Sequence, residues 1–341
     1  MATRLAINGF GRIGRTVARI ALQRPDIELV AVNDLTDTAL LAHLLRYDSV
    51  HGRLADPVNV KDDDVLTVGG EQIAVLRQKD PETLPWGELG VDVVLESTGA
   101  FTDAKAAAAH LEAGAGRVLI SAPSSNADFT VVHGVNDAGL TPAHRIVSNA
   151  SCTTNCAAPL AQVLHENFGV RRGLMNTSHA YTSDQRLHDA PHRDYRRARA
   201  AAVNIVPTST GAARAVGQVL PELAGRLDGL SMRVPVPDGS VVDLTVEVER
   251  SVTAEEVNAA FAEAARGPLA QVLDYSEAPL VSTDILGTSA SCTFDAPLTM
   301  VLGGPYDGSL VKVVGWYDNE SGFSHRAVDL VRLLGDLGPT A

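Results

Sequence analysis

Short apolar runs alternate with helical patterns along the first 150 residues. Leu5-Ala6-Ile7-Asn8 reads as a strand, a glycine-rich turn follows, and a helical pattern runs on through Leu22. A second apolar run, Glu28 to Asn33, ends at Asp34. Val91 to Glu96 and Arg117 to Ser121 are further strand-like runs, each entered after a helical or turn-rich stretch. Strands alternating with helices predict a mostly parallel sheet with helices on its faces, an α/β arrangement. Residues 1–150 are expected to form that domain.

The pattern changes near residue 150. Longer strand candidates appear from Val170 onward, among them Leu230 to Val236, Val241 to Val248 and Val311 to Trp316. Helical stretches fall at Ala157 to Glu166, Ala212 to Leu220 and Ala254 to Ala265. Strands gathered in this way predict a second, α+β domain over 151–317 with a mainly antiparallel sheet. Ser324 to Leu334 reads as one amphipathic helix, and a C-terminal segment of about 318–341 is expected to complete the first domain. No internal repeat interrupts this plan.

Composition narrows the classes of function. Hydrophobic residues make up 45% and charged residues 20% of the 341, so the chain can bury a large core in each domain. Lys plus Arg number 28 against 41 Asp plus Glu, a net charge of −13. Such a field repels nucleic acid and anionic membrane as main partners. A small anion is not excluded, because one pocket can be basic on an acidic protein. No apolar run is long enough to span a bilayer, and the N-terminal stretch lacks the features of a secretory signal. Cys152, Cys156 and Cys292 are too few, and odd in number, for a disulfide framework, so a reducing cytoplasm is the expected compartment.

Two stretches carry chemistry. Gly9-Phe10-Gly11-Arg12-Ile13-Gly14 lies between a predicted strand and a predicted helix. Glycines there let the turn tighten and let a pyrophosphate rest on backbone amides at the helix start. Asp34 ends the next strand, 20 residues after Gly14, where a carboxylate takes ribose hydroxyls and repels a 2′-phosphate. Together they indicate a dinucleotide site that favours NAD. The second stretch is Ser148-Asn149-Ala150-Ser151-Cys152-Thr153-Thr154-Asn155-Cys156. Cys152 follows cap-type residues and precedes a helical run, so helix-end amides can stabilise a thiolate. Cys156, one turn on and followed by Ala157-Ala158-Pro159-Leu160, reads as packing.

That second stretch resembles the active-site signature of the phosphorylating glyceraldehyde-3-phosphate dehydrogenase family. Asn8 to Arg15 matches the family's opening, Trp316 to Glu320 matches its stretch near the C-terminus, and the likeness covers essentially the whole chain. The resemblance implies an N-terminal Rossmann domain, a catalytic domain, NAD as cofactor, glyceraldehyde 3-phosphate and inorganic phosphate as substrates, and a homotetramer. It implies no metal. By the same resemblance His179 is the catalytic histidine beside Cys152, expected to be an imidazolium that lowers the thiol pKa. Thr182, Asp184 and Arg233 match positions near the substrate's C3 phosphate. Ser151, Thr153, Thr210 and Gly211 match the site of the attacking phosphate, with Arg197 serving that region. Gly9, Gly11, Arg12, Ile13, Gly14, Asp34, Thr98, Gly99, Ser121 and Asn319 match cofactor positions, Asn319 at the carboxamide.

Departures from the family's usual pattern cluster around the site. Asn176, Ser178 and Ala180 stand where Thr, Val and Ser are usual, and Val236, Asp238 and Gly239 replace Thr, Asn and Val. Phe323 stands for a tyrosine, Lys79 for an arginine, and Ala190 for the leucine of many NAD-preferring members. These bear on cofactor stringency and pocket shape. They leave open drift in the packing behind the site or a paralogue tolerant of bulky electrophiles. Two other readings are an erythrose-4-phosphate dehydrogenase, whose usual pattern differs at Pro207 to Ala213, and a non-catalytic NAD-sensing protein. Retention of Cys152, His179, Arg233 and Asn319 together weighs against the latter.

Overall fold

The computed structural model describes residues 2–303 and 308–338. It divides into two compact units, one of 1–131, 138–150 and 324–341, the other of 132–137 and 151–323. The first therefore lacks 318–323 of the segment expected to complete it, and residues 339–341 of that segment lie outside the described residues. Among the described residues, no helix is long and apolar enough to cross a membrane.

The first unit is built on a nine-stranded sheet. Its central strand, Thr3–Asn8, pairs in parallel with Ile27–Asn33 on one side and Val93–Glu96 on the other. Leu5, Ala6 and Ile7 are wholly buried, as a strand covered on both faces requires. Parallel pairing continues outward through Arg117–Ile120, Ile146–Ser148 and Phe129–Thr130. On the far side, Glu71–Leu76 runs parallel to Ile27–Asn33. Val65–Val68 and Val58–Asp62 then extend that edge as antiparallel hairpins. Those hairpins escaped the sequence reading, because Val65–Val68 is only four residues long and Val58–Asp62 is exposed at all but its first position. From the C-terminal helix, Ser321–Asp336, the side chains of Ala327, Val328, Val331 and Leu334 pack into the core formed by Leu5, Ile7, Val93 and Leu119.

The second unit carries an eight-stranded sheet. Its long strand Val170–Ala180 runs antiparallel to Ser240–Val248, which runs antiparallel to Leu310–Tyr317. The same long strand pairs in parallel with Leu227–Val234, and Leu273–Ser276 pairs in parallel with Cys292–Asp295. The sheet is thus largely, not wholly, antiparallel. Ser240–Val248 alternates buried and half-buried positions, with Val242, Leu244, Val246 and Val248 turned inward. The helix Cys152–Phe168 packs on that sheet, five residues earlier than its apolar pattern begins. Its polar first turn carries no hydrophobic signal, so the pattern alone placed the start at Ala157.

Candidate active site

The cysteine stands at the first position of its helix for a local reason. The chain leaves the strand Ile146–Ser148 and turns through Ala150, whose φ of 54° makes it the only non-glycine with positive φ among the described residues. Such a conformation costs an alanine about 1 kcal/mol or more. Ser148 Oγ accepts a hydrogen bond from Ala150 N at 3.1 Å and holds the turn. Ser151 then caps the helix, its Oγ accepting from Thr154 N at 3.0 Å. Cys152 follows directly, half-buried in the first turn, where the backbone of Thr153 donates toward it. Cys156 is fully buried against Gly315, where a Cβ would come within 3.2 Å of its sulfur, and it donates to Gly315 O at 3.6 Å.

Strand register brings the other groups to it. His179 and Arg233 are paired positions on neighbouring parallel strands. His179 Nε2 lies 3.4 Å from Cys152 Sγ. On the other side of the ring, Nδ1 lies 2.7 Å from Ala180 O and 2.7 Å from Arg233 Nη1. Arg233 Nη1 also donates to Ala180 O at 3.0 Å. A guanidinium only donates, and a carbonyl oxygen has two lone pairs. Nδ1 thus faces both an acceptor, Ala180 O, and a donor, Arg233; when its hydrogen goes to Ala180 O, the Nε2 lone pair faces the thiol.

The electrostatics follow from that packing. Burial first, and the Arg233 charge second, push the His179 pKa down to about 3. Burial raises the Cys152 thiol, against the opposing pull of Arg233 and of donors at Thr153. Both shifts run against the imidazolium–thiolate pair expected from the sequence, and Nε2 lies within reach of the sulfur's proton.

A second chain of hydroxyls supports the pair. Tyr317 is buried, and its OH bridges Thr153 Oγ1 at 2.8 Å and Thr177 Oγ1 at 2.9 Å. Its ring meets the His179 ring edge-on, with centroids 5.9 Å apart. Ser240 Oγ accepts from Ala180 N at 3.0 Å and donates to Asn319 Oδ1 at 2.6 Å. That fixes the Asn319 amide with its NH2 as the free, donating end. Neither Tyr317 nor Ser240 was singled out from sequence. A polar residue at the inward end of an alternating strand was the one available signal for Ser240.

The remaining candidates take local places. Asp184 accepts from Arg197 Nη1 and lies 3.5 Å from His192 Nε2, so it pairs with the arginine in a half-exposed ion pair. Arg233 lies close enough to Cys152, Arg197 and Asp184 for their charges to act on it. Thr182 follows the end of the long strand, its carbonyl accepting from Gln185 N. Thr210 Oγ1 accepts from Ala212 N at 3.1 Å, and Gly211 opens the helix Ala212–Val219. Among the described residues, no hydrogen bond joins Thr182, Thr210 or Gly211 to Cys152 or His179.

In the first unit the glycine turn has the shape a dinucleotide needs. Gly9 has a φ of +95°, and a Cβ there would sit 2.5 Å from Thr98 N. A Cβ on Gly14 would meet Gly9 O at 2.2 Å. Gly11 differs: nothing lies within 4 Å of its Cβ position, so open space faces the start of the helix Arg12–Ala21. Asp34 is drawn to this turn, its Oδ2 accepting from Phe10 N at 2.9 Å. The Arg12 side chain pairs with Asp48, leaving the backbone amides of Arg12 and Ile13 at the helix start. Gly99 has a φ of +73° with open space beside it, and Ser121 donates through N and Oγ to Glu96 O. These residues fit NAD.

Residues 3–104 match the family model for the NAD binding domain of glyceraldehyde 3-phosphate dehydrogenase, and residues 151–319 match the model for its C-terminal domain. The chain belongs to the glyceraldehyde 3-phosphate dehydrogenase family. It is 60% identical to the glyceraldehyde-3-phosphate dehydrogenase of Geobacillus stearothermophilus, over 99% of this chain and 100% of that one. It is 59% identical to glyceraldehyde-3-phosphate dehydrogenase 1 of Streptomyces avermitilis, over 98% and 99% of the two chains. Against glyceraldehyde-3-phosphate dehydrogenase 1 of Bacillus subtilis the identity is 58%, over 99% and 100%.

Within this family the departures after Arg233 have a backbone reason. Gly239 has a φ of +82°, and a Cβ there would sit 2.4 Å from Ser282 O. Asp238 Oδ1 accepts from Gly239 N at 2.8 Å. The loop takes a course that glycine permits and the family's usual valine does not.

Proposed function

We propose that this chain oxidises D-glyceraldehyde 3-phosphate to 1,3-bisphosphoglycerate, with inorganic phosphate as second substrate and NAD as hydride acceptor. The observation that carries the reading is the 3.4 Å approach of Cys152 Sγ to His179 Nε2 at a helix start, with Arg233 beside the imidazole. Identity near 60% to proteins of that name supports it.

Each step uses groups already in place. His179 Nε2 takes the Cys152 proton, and the thiolate attacks the aldehyde carbon. The oxyanion that forms receives that proton from Nε2, giving a hemithioacetal. His179 then takes back the hydroxyl proton as the C–H bond breaks. Bound NAD supplies the acceptor for the hydride. The product at Cys152 is a thioester, reactive enough for phosphate to displace, which restores the cysteine and releases the acyl phosphate.

Binding roles follow the geometry. Arg233, with Thr182 and Asp184 beside it, suits the substrate's C3 phosphate, and Asp184 acts by holding Arg197. Ser151, Thr153, Thr210 and Gly211, with Arg197, suit the attacking phosphate, where amides at a helix start favour an anion. For NAD, the turn Gly9 to Gly14 with Arg12 and Ile13 would take the pyrophosphate and Asp34 the ribose. Thr98, Gly99 and Ser121 would line the site, and the free amide NH2 of Asn319 would meet the carboxamide.

The protein acts as a homotetramer in the cytoplasm. Leu174, Leu187, Tyr195, Val203 and Ile205 are large apolar side chains between 68% and 88% exposed, as residues covered by a neighbouring subunit would be. The experiment that tests the reading is NADH formation by the purified protein. Formation that needs both glyceraldehyde 3-phosphate and phosphate supports it. Turnover with erythrose 4-phosphate and none with glyceraldehyde 3-phosphate contradicts it.

A further inference from the structure

Behind the glycine turn lies a buried carboxylate that the chemistry above does not use. Glu96, at the end of the strand Val93–Glu96, is 2% exposed. Its Oε1 accepts from Thr98 N at 2.8 Å and from Thr98 Oγ1. Its Oε2 accepts from Asn8 Nδ2 at 2.6 Å and faces His110 Nε2 at 3.0 Å. Trp86 settles which proton His110 carries. The indole N–H only donates, and it reaches His110 Nδ1 at 3.0 Å, so Nδ1 is the acceptor. Nε2 therefore bears the hydrogen, the ring is neutral, and it donates to Glu96. The contact is a hydrogen bond to a carboxylate and not an ion pair.

Apart from His110 and Trp86, the arms of this cluster end on loops of the proposed dinucleotide site. Asn8 precedes Gly9, and Ser97 Oγ donates to Gly9 O at 2.7 Å. Asn8 Oδ1 accepts from Asn33 Nδ2 at 2.7 Å, and Asn33 precedes Asp34. Thr98 begins the turn that carries Gly99. The backbone carbonyl of Glu96 takes both donors of Ser121. Strand pairing sets Asn8 beside Asn33 and Glu96 at the strand ends, and these side-chain bonds continue the tie into the loops beyond.

We infer that Glu96 is a positioning residue for the cofactor site, one buried carboxylate whose four acceptor positions set the Gly9, Asp34 and Thr98 loops in mutual register. His110, locked as the Nε2–H tautomer by Trp86, and Asn8 are its partners. The inference rests on the reading that this unit binds NAD.

The chemistry defines a swap that tests it. In Glu96→Gln the remaining oxygen can still accept from Thr98, but the new NH2 faces two other donors, Asn8 Nδ2 and His110 Nε2–H. Adding Asn8→Asp turns that conflict into complementarity. The new carboxylate accepts from the glutamine NH2, keeps the Asn33 bond, and meets His110 Nε2, which already lies 3.3 Å from Asn8 Nδ2. The buried negative charge is conserved and moves over by one side chain.

NAD binding to the purified full-length proteins is measured by calorimetry, with the rate of Cys152 alkylation by iodoacetamide as a check on the folded second unit. Glu96→Gln is expected to weaken NAD binding roughly ten-fold or more, since buried donors lose their acceptor. The alkylation rate stays at that of the unaltered protein, and the Asn8→Asp/Glu96→Gln double variant recovers most of the affinity. If the single variant does not accumulate, recovery of soluble, NAD-binding protein in the double variant supports the inference equally. Unchanged affinity in the single variant overturns it, as does a double variant no better than the single. Failure of the unaltered protein to bind NAD removes instead the reading on which the inference rests.

Discussion

Arg233 Nη1 lies 2.7 Å from His179 Nδ1, the ring nitrogen that does not face Cys152. A fixed positive charge there opposes a second one on the ring, and burial acts in the same direction. Both effects favour the neutral form of His179, the base of the proposed mechanism. A substrate phosphate that draws on the Arg233 charge would ease protonation of His179 at the step where the sulfur loses its proton.

The first expected outcome is a titration. The His179 imidazole resonances stay fixed from about pH 8 down to about pH 5, because the folded pKa is lowered to about 3 from an ordinary 6.5. The folded chain then binds fewer protons than the unfolded one between those values. The stability this group contributes is fully present above about pH 6.5 and is lost as pH falls toward 3. His179→Asn should flatten that part of the stability–pH curve and lower kcat by about a hundred-fold or more. A midpoint near 6.5 for His179 in the free protein would show that Arg233 and burial do not control it.

Tyr317→Phe removes one oxygen and with it both hydroxyl bridges, to Thr153 and to Thr177. Thr153 belongs to the proposed attacking-phosphate site, so KM for phosphate should rise several-fold, the loss of about one hydrogen bond. The hydride step should keep its rate, since the phenol reaches neither Cys152 nor His179 through a hydrogen bond. Single-turnover NADH formation without phosphate, compared with steady-state turnover, separates the two. An equal loss in both would assign Tyr317 to general packing.

The glycine turn offers a contrast between two small substitutions. Gly14→Ala places a Cβ 2.2 Å from Gly9 O and should lower the unfolding midpoint as well as NAD affinity. Gly11→Ala meets nothing within 4 Å, so the midpoint should hold while NAD affinity falls. Thermal unfolding with and without NAD reads both. A Gly11→Ala protein that binds NAD unimpaired would contradict the placement of the pyrophosphate there.

Asp34 holds the turn, through Phe10 N, and is the carboxylate proposed to take the ribose hydroxyls. NAD should therefore exceed NADP in kcat/KM. Asp34→Gly should narrow that ratio by weakening NAD and relieving the repulsion of NADP. Equal kcat/KM for the two cofactors in the unaltered protein would remove this role for the carboxylate.

What the sequence made legible was what neighbouring residues decide. The turn Gly9 to Gly14 between a strand and a helix, and the cap residues before Cys152, are local patterns, and the structure places both as expected. The parallel and largely antiparallel sheets follow from the rhythm of apolar runs. His179 and Arg233 are 54 residues apart and meet only through strand register, which no local pattern encodes. Tyr317 reaches Thr153 across 164 residues, and the Glu96 cluster gathers Asn8, Trp86 and His110 from separate strands and loops. The pKa of His179 is likewise lowered by burial beside Arg233, a property of the folded pocket that no local pattern encodes.

The most direct measurement is a burst experiment with the purified protein, NAD and glyceraldehyde 3-phosphate in the absence of phosphate. The expected result is rapid formation of about one NADH per active chain, followed by a slow phase. Adding phosphate then starts steady turnover, and Cys152→Ser abolishes the burst. Linear NADH formation without phosphate, or a burst that survives Cys152→Ser, would contradict a thioester at Cys152.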